Sequence, residues 1–292
     1  MSFKRILVIA DQTRARNLAL PRAVKLAAAT GAAIDLVGFC YDPSLDAMPA
    51  EGAAIERGRR TLLAATHARL DEMLAGTDLQ RVNATHRTVW CKWIHEWVVA
   101  QHGDYDLVVK TAHRSATMFY TSTDWHLLRT SPIPLMLVGS RTWKKRAPIL
   151  ATVDLQSTKA KQRKLNSRVL ELATAVATAL DCPLHVVYAL PVPPVLKELE
   201  IVEPRAEVRK FRRGRRALLR DLAACYSIDP GRIHLLAGAP ENVIPTVARR
   251  LKAQLVVMGT IGRHGLKGIL IGNTAEQVLQ RLPADVLAVR PE

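Results

Sequence analysis

A short apolar segment that ends in an acid, Arg5-Ile6-Leu7-Val8-Ile9-Ala10-Asp11, returns in the second half as Pro148-Ile149-Leu150-Ala151-Thr152-Val153-Asp154. Asp106-Leu107-Val108-Val109 likewise returns as Gln254-Leu255-Val256-Val257. Near the two ends, Thr123-Asp124-Trp125-His126-Leu127-Leu128 with Pro132 to Val138 parallels Thr274-Ala275-Glu276-Gln277-Val278-Leu279 with Pro283 to Val289. Order and spacing agree, so the chain is one domain written twice, and any fold proposed for one half must serve the other. The copies are expected at 1–142 and 147–292, joined by the polar and basic stretch Arg141 to Arg146.

Within each copy, short β-branched apolar runs alternate with amphipathic helical patterns, which calls for an α/β domain with a parallel sheet covered by helices on both faces. Five strands are expected per copy, at about 4–10, 33–40, 84–90, 106–111 and 135–139, then 148–153, 183–189, 232–237, 254–259 and 285–290. The length of 292 residues gives each copy its own core, and 49% hydrophobic with 23% charged residues suits that packing. No stretch approaches a membrane span, and the N-terminus reads as a first strand rather than a signal peptide, making cytoplasm the expected compartment. Cys40, Cys91, Cys182 and Cys225 are scattered without a C-x-x-C, so reduced cysteines are expected, with neither a disulfide framework nor a zinc site.

The formal charge of +16 raises the question of nucleic acid. The excess is spread over both halves: 20 basic against 13 acidic residues give +7 in 1–146, and 22 against 13 give +9 in 147–292. Its densest knot is Arg205 to Arg220, where Val208, Phe211, Leu218 and Leu222 form an apolar helical stripe and Arg209, Arg212, Arg213, Arg216 and Arg220 another face. One aromatic on the apolar side and no reader motif argue against nucleic acid, leaving a solvated face or an acidic partner, with RNA the lesser alternative. His113 and His126 lie on different elements with no third ligand, so no metal site is expected. Trp90, Trp93, Trp97 and Trp125 are read as core or interface packing.

Chemistry concentrates at residues 254–291. The strand Leu255 to Met258 ends at Gly259, where a missing Cβ lets backbone approach a ligand, and Gly262 repeats the provision. After nine intervening residues comes Gly272-Asn273-Thr274-Ala275-Glu276, with Asn273 or Thr274 able to cap a helix and Glu276 at the reciprocal capping-box position. Free amides at a helix start bind anions, so the two elements are expected to hold a phosphate chain, the alternative being a connection whose glycines serve turns alone. Neither a Walker loop nor G-x-G-x-x-G after a first strand occurs. The first copy reads Lys110-Thr111-Ala112-His113-Arg114-Ser115 onward to Thr123 without a glycine, and Cβ atoms at Thr111 and Thr121 are expected to block that half.

The G-x2-G-x9-G-N spacing of Gly259, Gly262, Gly272 and Asn273, between an apolar strand and a capped helix, resembles the universal stress protein family. The run Thr121-Ser122-Thr123-Asp124-Trp125-His126-Leu127-Leu128-Arg129 and the tandem layout extend the resemblance over both copies. The resemblance implies two flavodoxin-like/Rossmann-like domains of the adenine nucleotide alpha hydrolase type, packed as a pseudo-dimer through their last strands, in a cytoplasmic stress-response protein. It also implies an adenine-nucleotide site in the second copy. Thr152, Val153 and Asp154 would contact the adenine side, and Ala189 the base through its backbone. Met258 and Gly259 would border ribose and phosphates, and Gly262, Gly272, Asn273 and Thr274 would hold the phosphate chain. Arg263, inside the loop, would neutralise phosphate charge. The ligand implied is ATP, or ADP or AMP, with Mg²⁺ arriving on the phosphates. Asp154, read alone, serves equally as a helix-capping acid. No Ser/His/Asp or Cys/His triad is recoverable, so the expected role is binding and regulation, with slow ATPase action and an idle-site scaffold as alternatives and further homodimerisation left open.

Overall fold

The computed structural model describes residues 3–11, 17–46, 52–79, 81–112, 122–157, 159–190, 204–260, 262–265, 268–271 and 273–291, with backbone alone at 122, 204–212, 262–265, 268–271 and 273–274. The chain divides into two compact units between Ser140 and Arg141.

In the first unit, β1 (Arg5–Ile9), β2 (Ala33–Cys40), β3 (Ala84–Trp90), β4 (Leu107–Thr111) and β5 (Leu135–Val138) form a parallel sheet in the order β3-β2-β1-β4-β5. The helices between them are α1 (Ala19–Thr30), α2 (Pro43–Asp46), α3 (Ala53–Ala75), α4 (Ile94–Ala100) and α5 (Ser122–Thr130). Ile6, Leu7 and Val8 are wholly buried, as a central strand covered on both faces requires. Gly31 closes α1 at φ 77°, a left-handed cap open to glycine without strain, and its N–H donates to the Ala27 carbonyl.

The second unit repeats the winding. It holds β6 (Ile149–Thr152), α6 (Ala160–Ala179), β7 (Leu184–Leu190), α7 (Pro204–Ala224), a 3-10 turn at Pro230–Arg232, β8 (Ile233–Ala237), α8 (Pro240–Leu251) and β9 (Leu255–Gly259). After β10 (Gly262–Gly265) and β11 (Gly268–Ile271) come α9 (Asn273–Arg281) and β12 (Asp285–Val289). Its five parallel strands run β8-β7-β6-β9-β12. All ten expected strands are present, and both sheets have the 3-2-1-4-5 order of Rossmann-type winding. The order reverses between the first and fourth strands, which opens a crevice at their carboxyl ends. Among the described residues no helix is long and apolar enough to cross a membrane.

Three local expectations change. The segment after Gly259 contains a two-stranded antiparallel hairpin, in which Gly262 pairs with Ile271 and Gly265 with Gly268, where an irregular loop was expected. On α7, Leu218 is 51% exposed while Leu219 and Ala223 are buried. The buried stripe is turned by one residue, because the Arg215 guanidinium faces inward and donates to the Leu155 carbonyl. Val208, Phe211, Arg205, Arg209 and Arg212 fall where side chains are not described. Trp93 is exposed rather than packed, with the Lys92 ammonium 5.1 Å from its ring centroid. Trp97 does pack, edge-on to Phe39 at 5.1 Å. His126 stacks on His95 with ring centroids 4.4 Å apart; His113 and Thr121 lie outside the described residues.

The edge of the second sheet carries a histidine pair with a measurable consequence. His185 Nδ1 on β7 and His234 Nε2 on β8 are 3.0 Å apart with stacked rings, and His234 Nδ1 lies 3.2 Å from the Arg250 guanidinium. Burial, followed by the charges of His234 and Arg232, pushes His185 down to about 4 from 6.5. Burial and then Arg250 lower His234 as well. A folded-state pKa below the unfolded value means that the native state resists protonation. The contribution is complete above pH 6.5 and is lost as pH falls toward 4. With solvent screening at this half-buried pair, the loss is about 1–2 kcal/mol. Urea midpoints of the second unit should therefore fall between pH 6.5 and 4 more steeply in wild type than in His185→Gln; parallel curves would contradict this.

Candidate functional site

The carboxyl ends of β6 and β9 flank the switch point of the second sheet, and a cavity of about 240 Å³ opens there. Thr152, Val153 and Asp154 line it from the end of β6, Ala189 from β7, and Met258 and Gly259 from β9. These six expected residues, taken from three strands far apart in sequence, share one wall. Gly262 and Arg263 lie on β10, with the arginine side chain not described. Asn273 and Thr274 form the first turn of α9, with backbone alone described, and Ala275 and Val278 of that helix line the cavity. Gly272 lies outside the described residues.

Further lining residues escaped the sequence reading, Gln162, Leu165, Asn166 and Tyr188 among them. Gln162 and Asn166 stand one turn apart on the buried face of α6. Asn166 Oδ1 accepts from the Asp154 N–H at 3.0 Å, and its Nδ2 donates to the Asp154 carbonyl at 2.7 Å. Gln162 Nε2 donates to Asn166 Oδ1 at 3.2 Å and steadies the clamp. The Asp154 backbone is thus held from α6, while its Oδ1 accepts from the Gln156 N–H at 2.8 Å and shapes the exit from the strand. Two amides on a helix face otherwise made of Leu165, Val169, Leu172 and Ala173 were the available signal, since buried amides occur where they have a backbone to satisfy.

Leu165 revises the role of Gly259. A Cβ built on Gly259 would lie 2.6 Å from Leu165 Cδ2 and 2.8 Å from its Cγ. The glycine therefore lets α6 pack against the end of β9, whatever else approaches it. Tyr188, on β7, is 2% exposed, and its hydroxyl is buried at the cavity without a hydrogen-bond partner. Burial, helped by the Asp154 charge, raises its pKa and keeps it a protonated donor. A buried O–H with nothing to bond costs about 1–3 kcal/mol, and a polar ligand in the cavity would recover it.

The first unit fills the corresponding ground with its own side chains. The shared registers, Ile6 opposite Leu107 and Ile149 opposite Leu255, align Lys110 with Met258 and Thr111 with Gly259. Lys110 Nζ donates to Asp124 Oδ1 at 2.7 Å and to the Thr111 carbonyl at 3.1 Å, with side-chain exposures of 8% and 0% for the ion pair. Asp124 stands where the second copy has the cavity-lining Ala275. Thr111 Oγ1 accepts from the N–H groups of Leu18 and Ala19, at 3.2 and 3.1 Å, at the start of α1. A side chain thus satisfies amides that an anion would otherwise bond.

The family model described as the universal stress protein family matches residues 2–139 and again 149–290. The chain belongs to the universal stress protein family. Universal stress protein E of Salmonella typhi is 32% identical over 303 residues, covering 99% of this chain and 95% of that protein. The universal stress protein E homolog of Haemophilus influenzae is 30% identical over 309 residues, covering 100% and 98%. Among solved structures, a putative universal stress protein from Pseudomonas aeruginosa superposes with a TM-score of 0.72 at 26% identity, covering 99% of this chain and 94% of that one. A universal stress protein from Archaeoglobus fulgidus, 14% identical with a TM-score of 0.63 over 98% and 96%, shares the fold. Tandem universal stress protein domains therefore account for the duplication met first in the sequence.

Proposed function

We propose that the second unit is an adenine-nucleotide-binding regulatory module of a cytoplasmic stress response, and that the first unit does not bind nucleotide. The observation that carries this reading is the cavity at the switch point, lined together by Thr152, Val153, Asp154, Ala189, Met258 and Gly259. The orphaned Tyr188 hydroxyl fits it, being a donor for a base nitrogen or ribose oxygen. So does the clamp on Asp154, which fixes an acceptor at the same wall. ATP, or ADP or AMP, is the ligand, with Gly262, Gly272, Asn273 and Thr274 supplying amides to the phosphates and any Mg²⁺ carried on phosphate oxygens. In the first unit the Lys110–Asp124 pair and Thr111 occupy the equivalent positions.

Calorimetric titration of ATP, ADP and AMP into protein stripped of co-purified nucleotide tests the reading. One site per chain is expected, weakened by about 100-fold or more in Gly272→Val and by about tenfold in Asn166→Ala, which frees the Asp154 strand end. A folded, empty protein that gives no heat with any of the three removes it. The exposed Arg213, Arg216 and Arg220 on α7 would then favour a scaffold for an acidic partner, recognised by salt-sensitive association that ignores Gly272→Val.

A further inference from the structure

The first unit brings together three residues that no sequence spacing connects. His67 and Asp71 stand one turn apart on α3, and His86 lies on β3. His67 Nε2 is 3.9 Å from Asp71 Oδ2, and His86 Nε2 is 3.1 Å from Asp71 Oδ1, so the two carboxylate oxygens face different imidazoles. The donor atoms all lie within 4.8 Å of one another, and the imidazole centroids are 4.5 Å apart. His86 Nε2 is shielded from solvent and has no hydrogen-bond partner, even with the carboxylate at 3.1 Å, so its approach lacks the angle a hydrogen bond needs. A buried nitrogen within 4.8 Å of two other donors is suited to a cation shared among all three.

We propose that His67, Asp71 and His86 form a binding site for a borderline transition-metal dication of the zinc class. Bonds of about 2.0–2.2 Å in a tetrahedral shell place neighbouring donors about 3.3 Å apart. The observed 3.1 and 3.9 Å, taken to the two different carboxylate oxygens, bracket that value, and all donors lie within 4.8 Å, so rotation of the exposed His67 and Asp71 side chains brings one oxygen between the two imidazoles. Two imidazoles and one carboxylate select Zn²⁺, Co²⁺ or Ni²⁺ over Mg²⁺ and Ca²⁺, which demand mostly oxygen ligands. His67 and Asp71 are 52% and 58% exposed, leaving the fourth position to water and the site open to metal in solution. The bound ion ties α3 to β3, a strand whose outer side carries no hydrogen-bonded neighbour in its sheet among the described residues. It also stabilises the first unit by mass action, because the unfolded chain does not hold the three donors together.

The test is titration of ZnCl₂ into the tag-free, chelator-treated full-length protein, followed by calorimetry and by the rise in thermal midpoint. Co²⁺ in place of Zn²⁺ gives a visible absorption band that reports coordination directly. The expected result is one ion per chain in the micromolar range, weakened by more than about 100-fold in His67→Gln and in Asp71→Asn and unchanged in His102→Gln. Loss of a first ligand should exceed the ~10–100-fold cost of losing an outer-shell partner. Both test positions are more than half exposed, so the variants fold, as their metal-free melting midpoints will establish. Absence of binding, or binding that survives both substitutions, overturns the proposal and leaves a surface histidine pair sharing one carboxylate.

Discussion

Lys110→Ala lowers the stability of the first unit by about 3–5 kcal/mol. The substitution removes the Lys110 ammonium from a pair in which the Asp124 side chain is 0% exposed, and the carboxylate loses that counter-charge without gaining water. The ion pair itself is not a strong source of stability, since its formation also strips both groups of solvent. The second copy shows the alternative, placing Met258 and Ala275 at the same two positions. Lys110→Met combined with Asp124→Ala should therefore recover most of the loss that Lys110→Ala incurs. Four of the five tryptophans, Trp90, Trp93, Trp97 and Trp125, belong to this unit, so urea unfolding followed by tryptophan fluorescence reports on it. A single variant costing under about 1 kcal/mol would mean that water or another partner compensates Asp124 after all.

Gly259→Ala is the second large effect, a loss of about 1–3 kcal/mol from overpacking against Leu165. Two jobs are assigned to this glycine, room for a helix and room for a ligand, and a double-mutant cycle separates them. Leu165→Ala alone costs about 2–5 kcal/mol, as a fully buried leucine should. In that background the added alanine at 259 meets empty space, and its penalty should fall below about 0.5 kcal/mol. An unchanged penalty would show that the obstacle is backbone rather than Leu165. Nucleotide titration of the same four proteins tells whether a methyl group at 259 also excludes a ligand once the packing conflict is gone.

The strands were legible because each is a run of β-branched and aliphatic residues buried on both faces, and because the duplication gave every assignment a second chance to fail. The family resemblance singled out Thr152, Val153, Asp154, Ala189, Met258 and Gly259, and they line one cavity because strand ends in this winding meet at one crevice. Gln162, Asn166 and Tyr188 were not, because polar residues within a helix or strand read as solvated until the partner they satisfy is known. Leu218 and Leu219 show the limit of periodicity: adjacent leucines differ by 100° around a helix, and the inward turn of Arg215 decided between them. The hairpin after Gly259 was missed because glycine-rich segments carry little strand propensity, and their pairing is set by register alone. His67, Asp71 and His86 belong to elements whose proximity is purely tertiary.

The plugged crevice of the first unit also sets the form of any dose–response. With Lys110, Asp124 and Thr111 seated where the second copy stays open, the function proposed above gives each chain one nucleotide vacancy instead of two equal ones. Two matched vacancies on one chain offer the possibility of a sigmoidal switch, whereas a lone vacancy fills along a plain hyperbola. Its occupancy passes from a tenth to nine-tenths only over about an eighty-fold range of concentration. On the function proposed above, a single chain works as a graded gauge of its nucleotide, and any sharpness in the response comes from pairing of chains or from what reads the gauge.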